Sequence, residues 1–173
     1  MNIVLIGYRC SGKTTVGKII AHKLGRDFLD TDALIEANAG CSLETIVSRD
    51  EWDHFRNIEK RLVEEVSRKD NLVIGTGGGV VMDWDNVKNL KENGWLVWLN
   101  ADAEVIEERM EKERRSGKIR PSLTGRDPIE EIKEVLEGRA PLYEQAASLV
   151  VDTTTLTPTE AAASIVKALP QRT

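Results

Sequence analysis

The chain alternates short apolar runs with longer amphipathic stretches along its whole length. The short apolar runs indicate strands. They predict five strands, at Asn2–Ile6, Asp27–Asp30, Asn71–Gly75, Trp95–Asn100 and Ser148–Val151. Because helical patterns separate these strands, the sequence predicts an α/β fold built on a parallel sheet.

The stretches between the strands carry apolar residues at helical spacing. They predict helices at Lys13–Leu24, Asp32–Asn38, Leu43–Ser48, Trp52–Arg68, Trp84–Asn93, Ala103–Glu113, Pro128–Ala146 and Pro158–Leu169. Two of these helices start with a capping signature, in which a residue with a side-chain oxygen precedes proline and a glutamate follows two positions later. The signatures, Asp127–Glu130 and Thr157–Glu160, predict that helices begin at Pro128 and Pro158.

Composition narrows the class of protein. A length of 173 residues with 40% hydrophobic and 31% charged residues predicts one globular domain, residues 1–173. No apolar run approaches the ~20 residues of a membrane span, and the N-terminus lacks the basic region of a signal peptide. Cys10 and Cys41 are too few for a disulfide framework and are expected to be free thiols. We therefore expect a cytoplasmic monomer without a membrane partner, and the net charge of −5 argues against nucleic-acid binding.

A phosphate-binding loop is indicated at Gly7–Thr15, hereafter the phosphate loop, between the first strand and the first helix. The segment fits the pattern G-x-x-x-x-G-K-[ST], whose backbone N–H groups surround phosphate oxygens. Lys13 is expected to reach the β- and γ-phosphates of a nucleoside triphosphate, and the Thr14 hydroxyl to ligate Mg²⁺. The residues expected to bind the nucleotide here are Gly7, Cys10, Ser11, Gly12, Lys13, Thr14 and Thr15.

Two carboxylates, Asp30 and Asp32, follow the second strand. The binding crevice of a parallel α/β sheet lies outside the carboxyl ends of its strands, so both are expected to face the same crevice as the phosphate loop. One is suited to hold water on Mg²⁺, and the other to accept a proton or hydrogen bond from a substrate hydroxyl. The alternative interpretation is a pair of ordinary helix-capping aspartates.

Three consecutive glycines, Gly77, Gly78 and Gly79, follow the third strand. A Walker-type ATPase would normally place an aspartate for Mg²⁺ at this point. Consecutive glycines cost backbone entropy, and their evident use is to let a ligand lie directly against the main chain. A flexible turn is the alternative.

Several arginines are candidates for binding anions. Arg56 precedes Glu59 by three helical positions, and Arg139 lies in a second arginine motif; a guanidinium fork suits a carboxylate, although a lone arginine is more often a surface residue. The segment Arg109–Arg126 holds seven basic residues against two acidic ones, with helix breakers in its middle. It predicts a lid at about residues 111–125 that closes over polyphosphate, the alternative being a solvated helix end.

Together these motifs resemble the shikimate kinase family, over nearly the whole chain. The resemblance rests on Gly7–Thr15, Asp30–Asp32, Phe55–Glu59, Thr76–Gly79, Arg120–Pro121 and Arg139–Tyr143, in the family's order. It implies a three-layer phosphate-loop kinase fold, with a five-stranded parallel sheet flanked by helices, a mobile lid and substrate-binding helices at about residues 32–62. It also implies an ATP- and Mg²⁺-dependent kinase that phosphorylates the 3-hydroxyl of shikimate.

The resemblance also implies roles for single residues. Asp32 would be the base for the attacking hydroxyl, and Lys13 and Arg120 would complete the catalytic set. The residues that would bind shikimate are Asp32, Arg56, Gly77, Gly78, Gly79 and Arg139. Further contacts would be made to ATP by Arg109, Arg120 and Pro158, and to Mg²⁺ by Thr14 and Asp30. Cys10 stands where many members of the family have glycine, and its thiol is a candidate for oxidation.

Two other interpretations remain open from the sequence. A related small-molecule kinase acting on gluconate or on a nucleoside monophosphate would share the phosphate loop, although the later motifs favour shikimate. A nucleotide switch of the GTPase class is a rival from another class, but the chain has no N-K-x-D segment to read guanine.

Overall fold

The computed structural model describes residues 1–170, except for the side chain of Asp50. Within that range five parallel strands form one sheet, and each predicted strand is confirmed to within one residue at either end. The strands are β1 (Asn2–Ile6), β2 (Asp27–Asp30), β3 (Leu72–Gly75), β4 (Gly94–Asn100) and β5 (Leu149–Asp152). Their order across the sheet is β2-β3-β1-β4-β5. The first strand is therefore central; the chain passes from it to the edge strand β2, returns to β3 beside β1, and then continues to β4 and β5 on the other side.

The strand register brings the candidate functional segments to one edge of the sheet. In the parallel pairings Leu5 of β1 lies opposite Gly75 of β3, and Gly75 lies opposite Asp30 of β2. The three strands thus end side by side. The phosphate loop, Asp30 and the segment Thr76–Gly79 all leave the sheet at this edge, as the crevice rule for parallel sheets requires.

Helices cover both faces of the sheet and complete the three layers. They are α1 (Lys13–Leu24), α2 (Thr31–Ala39), α3 (Leu43–Ser67), α4 (Trp84–Glu92), α5 (Ala103–Arg115), α6 (Ile132–Ala146) and α7 (Pro158–Ala168). One face packs α1 and α7 against the sheet, and the other packs α3, α4 and α6. Along β1, Ile3 and Leu5 point to the first of these cores, whereas Val4 and Ile6 point to the second. All four side chains are buried, which explains the uninterrupted apolar run in the sequence.

The closest helix-to-sheet contact involves a glycine. Gly17 of α1 lies against Phe28 of β2, and a Cβ added to Gly17 would lie 2.3 Å from a ring carbon of Phe28. The absent side chain therefore lets α1 approach the sheet, and the phosphate loop at its start is held close to the strand ends.

Two predicted helix boundaries differ from the structure. The predicted helices at 43–48 and 52–68 belong to α3, whose helical geometry is interrupted at Glu51 by a left-handed φ of 65°. The prediction of a helix starting at Pro128 was wrong, because α6 begins only at Ile132. The Asp127 carboxylate instead accepts the Ile129 N–H in a turn. The other capping signature is confirmed, with Thr157 and Glu160 forming a capping box at the start of α7.

Two further expectations can be compared with the described residues. Cys10 and Cys41 are both free thiols. Among residues 1–170, no helix combines the length and the apolar character that a bilayer span requires.

Candidate active site

The phosphate loop is held by strained glycines and by its own lysine. Gly7 and Gly12 have φ values of 143° and 99°, and a Cβ on Gly7 would lie 2.5 Å from the Leu99 carbonyl oxygen. The Lys13 ammonium donates hydrogen bonds to the carbonyl oxygens of Gly7 and Tyr8, both at 2.7 Å. Burial lowers the pKa of Lys13 to about 8. The loop thus forms a closed cradle with a cation at its centre.

Cys10 occupies a position in the loop that favours glycine. Its φ is 59°, in the left-handed region that costs a residue with a Cβ roughly 1 kcal/mol. Burial raises the pKa of the Cys10 thiol. The side chain is therefore a neutral thiol at neutral pH, which is the less reactive form.

Asp30 forms hydrogen bonds both with the start of α2 and with the phosphate loop. Its Oδ1 accepts the backbone N–H groups of Asp32 and Ala33 at 3.1 and 3.2 Å, which caps α2. Its Oδ2 accepts a hydrogen bond from the Thr14 hydroxyl at 2.8 Å. One carboxylate thus fixes the start of α2 and joins it to the phosphate loop. The same arrangement leaves two oxygen ligands of the kind that Mg²⁺ prefers next to the phosphate site.

Asp32 and Glu59 bring two buried carboxylates together on either side of Gly77. A Cβ added to Gly77 would lie 2.7 Å from Asp32 Oδ1 and 2.6 Å from Glu59 Oε1. Both oxygens are buried without a hydrogen-bond partner in the described part of the chain. Burial is the main cause that raises the pKa of Asp32 and of Glu59. Two buried acceptors side by side are suited to receive hydroxyl groups of a ligand.

Arg56 is oriented by Glu59 and by the glycine segment. Its Nη1 donates to Glu59 Oε2 at 2.7 Å, confirming the pairing expected from their spacing. Its Cζ lies 5.1 Å from the centre of the Trp52 ring. A Cβ on Gly79 would lie only 2.2 Å from Arg56 Nη2. Gly77 and Gly79 are therefore required by the carboxylates and the guanidinium that face them.

Arg139 and Tyr143, one turn apart on α6, approach the same segment from the opposite side. Arg139 is buried, with 8% of the residue exposed. The Tyr143 hydroxyl donates to the Gly78 carbonyl oxygen, and its ring stacks on Trp98 with centroids 5.6 Å apart. Burial raises the pKa of Tyr143 to about 12, so the hydroxyl remains a donor. Tyr143 was not identified from the sequence as a site residue, although it closes the R-A-P-L-Y motif.

Arg120 stands between two adjoining clefts. Its guanidinium is paired with Glu113, with Nε and Nη2 at 2.8 and 2.7 Å from Oε2. The first cleft, hereafter the acceptor cleft, is lined by residues that include Asp32, Trp52, Arg56, Gly77, Gly78, Gly79 and Arg139. The second, hereafter the phosphate cleft, is lined by residues that include Cys10, Ser11, Gly12, Lys13, Thr14, Thr15 and Asp30. Arg120 and Asp32 line both clefts.

The far end of the phosphate cleft contains the remaining predicted residues. Arg109 donates to the carbonyl oxygens of Cys10 and Thr153 at 3.2 and 2.9 Å. Pro158, at the start of α7, also lines this cleft. Arg109 therefore joins the phosphate loop to the segment after β5, where a group beyond the phosphates would lie.

Glu131 fixes the end of the predicted lid and was missed from the sequence. Its carboxylate is fully buried and accepts hydrogen bonds from Leu123 N, Thr124 N, Thr124 Oγ1 and Ser122 Oγ at 2.7–3.1 Å. Burial alone would raise the pKa of Glu131, but these hydrogen bonds lower it. Trp52 Nε1 donates to the Ser122 carbonyl oxygen at 2.9 Å. No local motif marks Glu131, because the surrounding sequence instead carries the signature of a helix start.

Comparison with known proteins gives a consistent result. A family model described as shikimate kinase matches residues 9–170. The shikimate kinase of Thermodesulfovibrio yellowstonii is 44% identical over 166 residues, covering 96% of this chain and 93% of the relative. That of Nitratidesulfovibrio vulgaris is 42% identical over 149 residues, covering 86% of this chain and 85% of the relative.

Solved structures agree with these sequence relatives. A shikimate kinase from Acinetobacter baumannii, solved in complex with shikimate, superposes with a TM-score of 0.88 at 32% identity, covering 96% of this chain and 90% of that one. A gluconokinase from Sinorhizobium meliloti superposes with a TM-score of 0.56 at 23% identity, covering 96% and 91%, and shares the fold alone. With the family model matching most of its length, the chain belongs to the shikimate kinase family.

Proposed function

We propose that the protein transfers the γ-phosphoryl group of ATP, with Mg²⁺, to the 3-hydroxyl of shikimate, giving shikimate 3-phosphate and ADP. One observation carries this proposal. A cleft with two oriented guanidinium groups and a pair of buried carboxylates adjoins a phosphate loop, and Arg120 and Asp32 face both. A hydroxylated carboxylic acid matches the first cleft, and a nucleoside triphosphate matches the second.

The acid substrate is bound through its two kinds of polar group. Arg56 and Arg139 bind the carboxylate, since a planar guanidinium pairs with a carboxylate through two hydrogen bonds. Asp32 accepts from the ring hydroxyls, and Gly78 and Gly79 offer backbone N–H groups where side chains would obstruct the substrate. The hydrogen bonds of these groups support the assignment. Glu59 orients Arg56, and Asp32 Oδ1 has no hydrogen-bond partner within residues 1–170.

The transfer itself is an in-line displacement at phosphorus. The 3-hydroxyl oxygen forms a bond to the γ-phosphorus while the bond from that phosphorus to the β,γ-bridging oxygen breaks, leaving ADP. Asp32 accepts the hydroxyl proton, a role that its raised pKa favours. Lys13 and Arg120 neutralise the charge on the phosphoryl oxygens. For this step Arg120 exchanges its partner, the Glu113 carboxylate, for phosphate oxygens.

Mg²⁺ fits this site only together with the nucleotide. Thr14 Oγ1 and Asp30 Oδ2 lie 2.8 Å apart at the phosphate loop, and no group of three or more acidic, histidine or cysteine side chains in the described range could hold a metal by itself. Mg²⁺ characteristically takes one or two protein oxygens and completes its shell with phosphates and water. Thr14 and Asp30 would hold it there, and it would supply positive charge that offsets the charge developing during phosphoryl transfer.

ADP release by the purified protein tests the function. We expect release with MgATP and shikimate, and little release with MgATP alone, with gluconate or with CMP. Replacing Asp32 by alanine should reduce turnover by several orders of magnitude with an unchanged circular dichroism spectrum. Turnover with gluconate or CMP in place of shikimate would support a kinase activity but would refute shikimate as the phosphoryl acceptor. Nucleotide hydrolysis that needs no acceptor would favour the switch class.

A further inference from the structure

A third guanidinium group, that of Arg9, lines both clefts and shares the acceptor cleft with those of Arg56 and Arg139. Arg9 belongs to the phosphate loop, and its side chain is only 10% exposed. Its Nη1 is buried and has no hydrogen-bond partner among the described residues. A buried cation with an unused donor is costly unless an anionic group reaches it. The proposed function assigns no role to the guanidinium group of Arg9.

Trp52 shows at which end of the cleft Arg9 lies. The Cζ atoms of Arg9 and Arg56 are 5.8 and 5.1 Å from the centre of the Trp52 ring. Two guanidinium groups thus approach the same aromatic ring, one from the phosphate loop and one from α3. The guanidinium groups of Arg9 and Arg56 therefore lie at the same end of the acceptor cleft.

Glu131 orients Arg9 without satisfying it. Glu131 Oε1 lies 3.8 Å from Arg9 Nη1, which is within reach of an ion pair but beyond a hydrogen bond. The same carboxylate already accepts hydrogen bonds from Leu123 and Thr124. Burial lowers the pKa of Arg9 to about 10, so the guanidinium remains charged at neutral pH. Arg9 therefore brings a positive charge to the lining of the acceptor cleft, and no described residue accepts a hydrogen bond from its buried Nη1.

We propose that Arg9 is a third binding residue for the substrate carboxylate, positioned by Glu131. Arg9 and Arg56 approach from different elements, so the carboxylate would be held from two directions. Binding by two guanidinium groups favours an acid over its neutral analogue, because an uncharged ligand group would leave the Arg9 guanidinium unpaired. This proposal rests on the proposed function, since it deepens the assignment of the same cleft.

Calorimetric titration with shikimate and with its carboxamide tests the assignment. The variant Arg9→Met removes the charge and keeps the length, and Arg9→Lys retains the charge without the fork. We expect Arg9→Met to weaken shikimate binding by about 10- to 100-fold, the range of one hydrogen bond to a charged group. Binding of the carboxamide should change by less than about threefold, and Arg9→Lys should be intermediate. Arg61→Met, at an exposed position of α3, is the matched control.

The outcomes separate this proposal from the one on which it rests. An equal loss for shikimate and the carboxamide, or unchanged binding of both, would overturn the role of Arg9. A rise in the KM for ATP with unchanged shikimate binding would assign Arg9 to the nucleotide instead. Parent protein that releases no ADP with shikimate would overturn the proposed function itself, whatever the variants bind.

Discussion

Asp32 lines both clefts and Lys13 lines the phosphate cleft; they carry opposite charges, and burial moves their pKa values toward each other. Burial raises the pKa of Asp32, whereas it lowers the pKa of Lys13 to about 8. In each case burial penalises the charged form. Both charged forms are the ones that the proposed reaction uses, so the two residues should confine activity to a window of pH.

A bell-shaped pH dependence of kcat/KM for ATP is the first prediction. Activity should fall on the acid side as the Asp32 carboxylate is protonated, at a pH above ~4, the ordinary value for aspartate. It should fall on the alkaline side near pH 8 as Lys13 loses its proton and its attraction for phosphate. Steady-state kinetics with both ATP and shikimate below their KM would measure both limbs, because the rate then reports the free protein.

Two variants identify the limbs. Asp32→Asn should abolish the acid limb along with most of the activity, by roughly 100- to 10,000-fold. Lys13→Arg should move the alkaline limb upward, since arginine keeps its proton at higher pH. An alkaline limb that stays near pH 8 in Lys13→Arg would mean that another group causes it.

The sequence identifies residues whose roles lie within one local motif, and misses those whose partners are distant. Lys13 and Thr14 could be predicted because the phosphate loop builds their surroundings from neighbouring residues. Arg9 and Glu131 could not, because the contact between them joins segments more than a hundred residues apart. Nothing in the local sequence of either residue distinguishes it from a surface charge.

Among the elements, α1 and β2 are joined through Gly17 at a distance that leaves no room for a side chain. Gly17→Ala should therefore destabilise the protein by about 1–3 kcal/mol through overpacking against Phe28. The better helix propensity of alanine, about 1 kcal/mol, acts in the opposite direction. Urea unfolding would measure the difference, with Lys18→Ala at the neighbouring exposed position as control. A more stable Gly17→Ala variant would show that α1 can move away from the sheet.

Glu131 provides the second prediction at this scale, because it anchors the end of the predicted lid. Glu131→Gln replaces one accepting oxygen by a donor, so part of the hydrogen bonding to Ser122–Thr124 is lost. Trypsin should then cleave the segment 114–126 about tenfold faster, since local opening governs the cleavage. Glu130→Gln, at the exposed neighbouring position, is the control. Equal cleavage of the two variants would contradict an anchoring role.

The start of α6 shows why a strong local signal can fail. Asp127–Glu130 has the composition of a capped helix start, yet α6 begins at Ile132. The segment before it instead forms a turn that leads into the buried Glu131. Long-range hydrogen bonds to the lid thus compete with helix formation, and a reading of local sequence does not include them.

At the scale of the whole molecule, one sheet separates and joins the two main cores. Val4 and Ile6 belong to the core beneath α3, α4 and α6, whereas Ile3 and Leu5 belong to the core beneath α1 and α7. If β1 left the sheet, apolar side chains of both cores would become exposed. The two cores on opposite faces of the sheet are therefore expected to unfold together.

We expect the chain to unfold in a single cooperative transition. Urea titrations followed by far-ultraviolet circular dichroism and by tryptophan fluorescence should give coincident curves, as is usual for a domain of about this size. Trp98 packs in the core beneath α3, α4 and α6, and Trp95 packs against the core on the other face, so fluorescence samples both sides of the sheet. Two separate transitions would refute the prediction of one domain.

The sequence predicts the class of fold well and its topology less directly. Uninterrupted apolar runs such as Asn2–Ile6 arise from burial on both faces, a property that each strand carries by itself. The order β2-β3-β1-β4-β5 depends on which edges pair, and no single strand encodes it. The motifs and the family resemblance predict five parallel strands but not their order.

Gly77 places an unusual restriction on how this gene can change. Every single-base substitution that replaces a glycine encodes a residue with a Cβ or ends translation. Any such Cβ would lie 2.6–2.7 Å from carboxylate oxygens of Asp32 and Glu59. Every missense change at this codon therefore requires Asp32 and Glu59 to move, whereas at Gly138, where a Cβ would meet nothing within 4 Å, the same mutations meet open space.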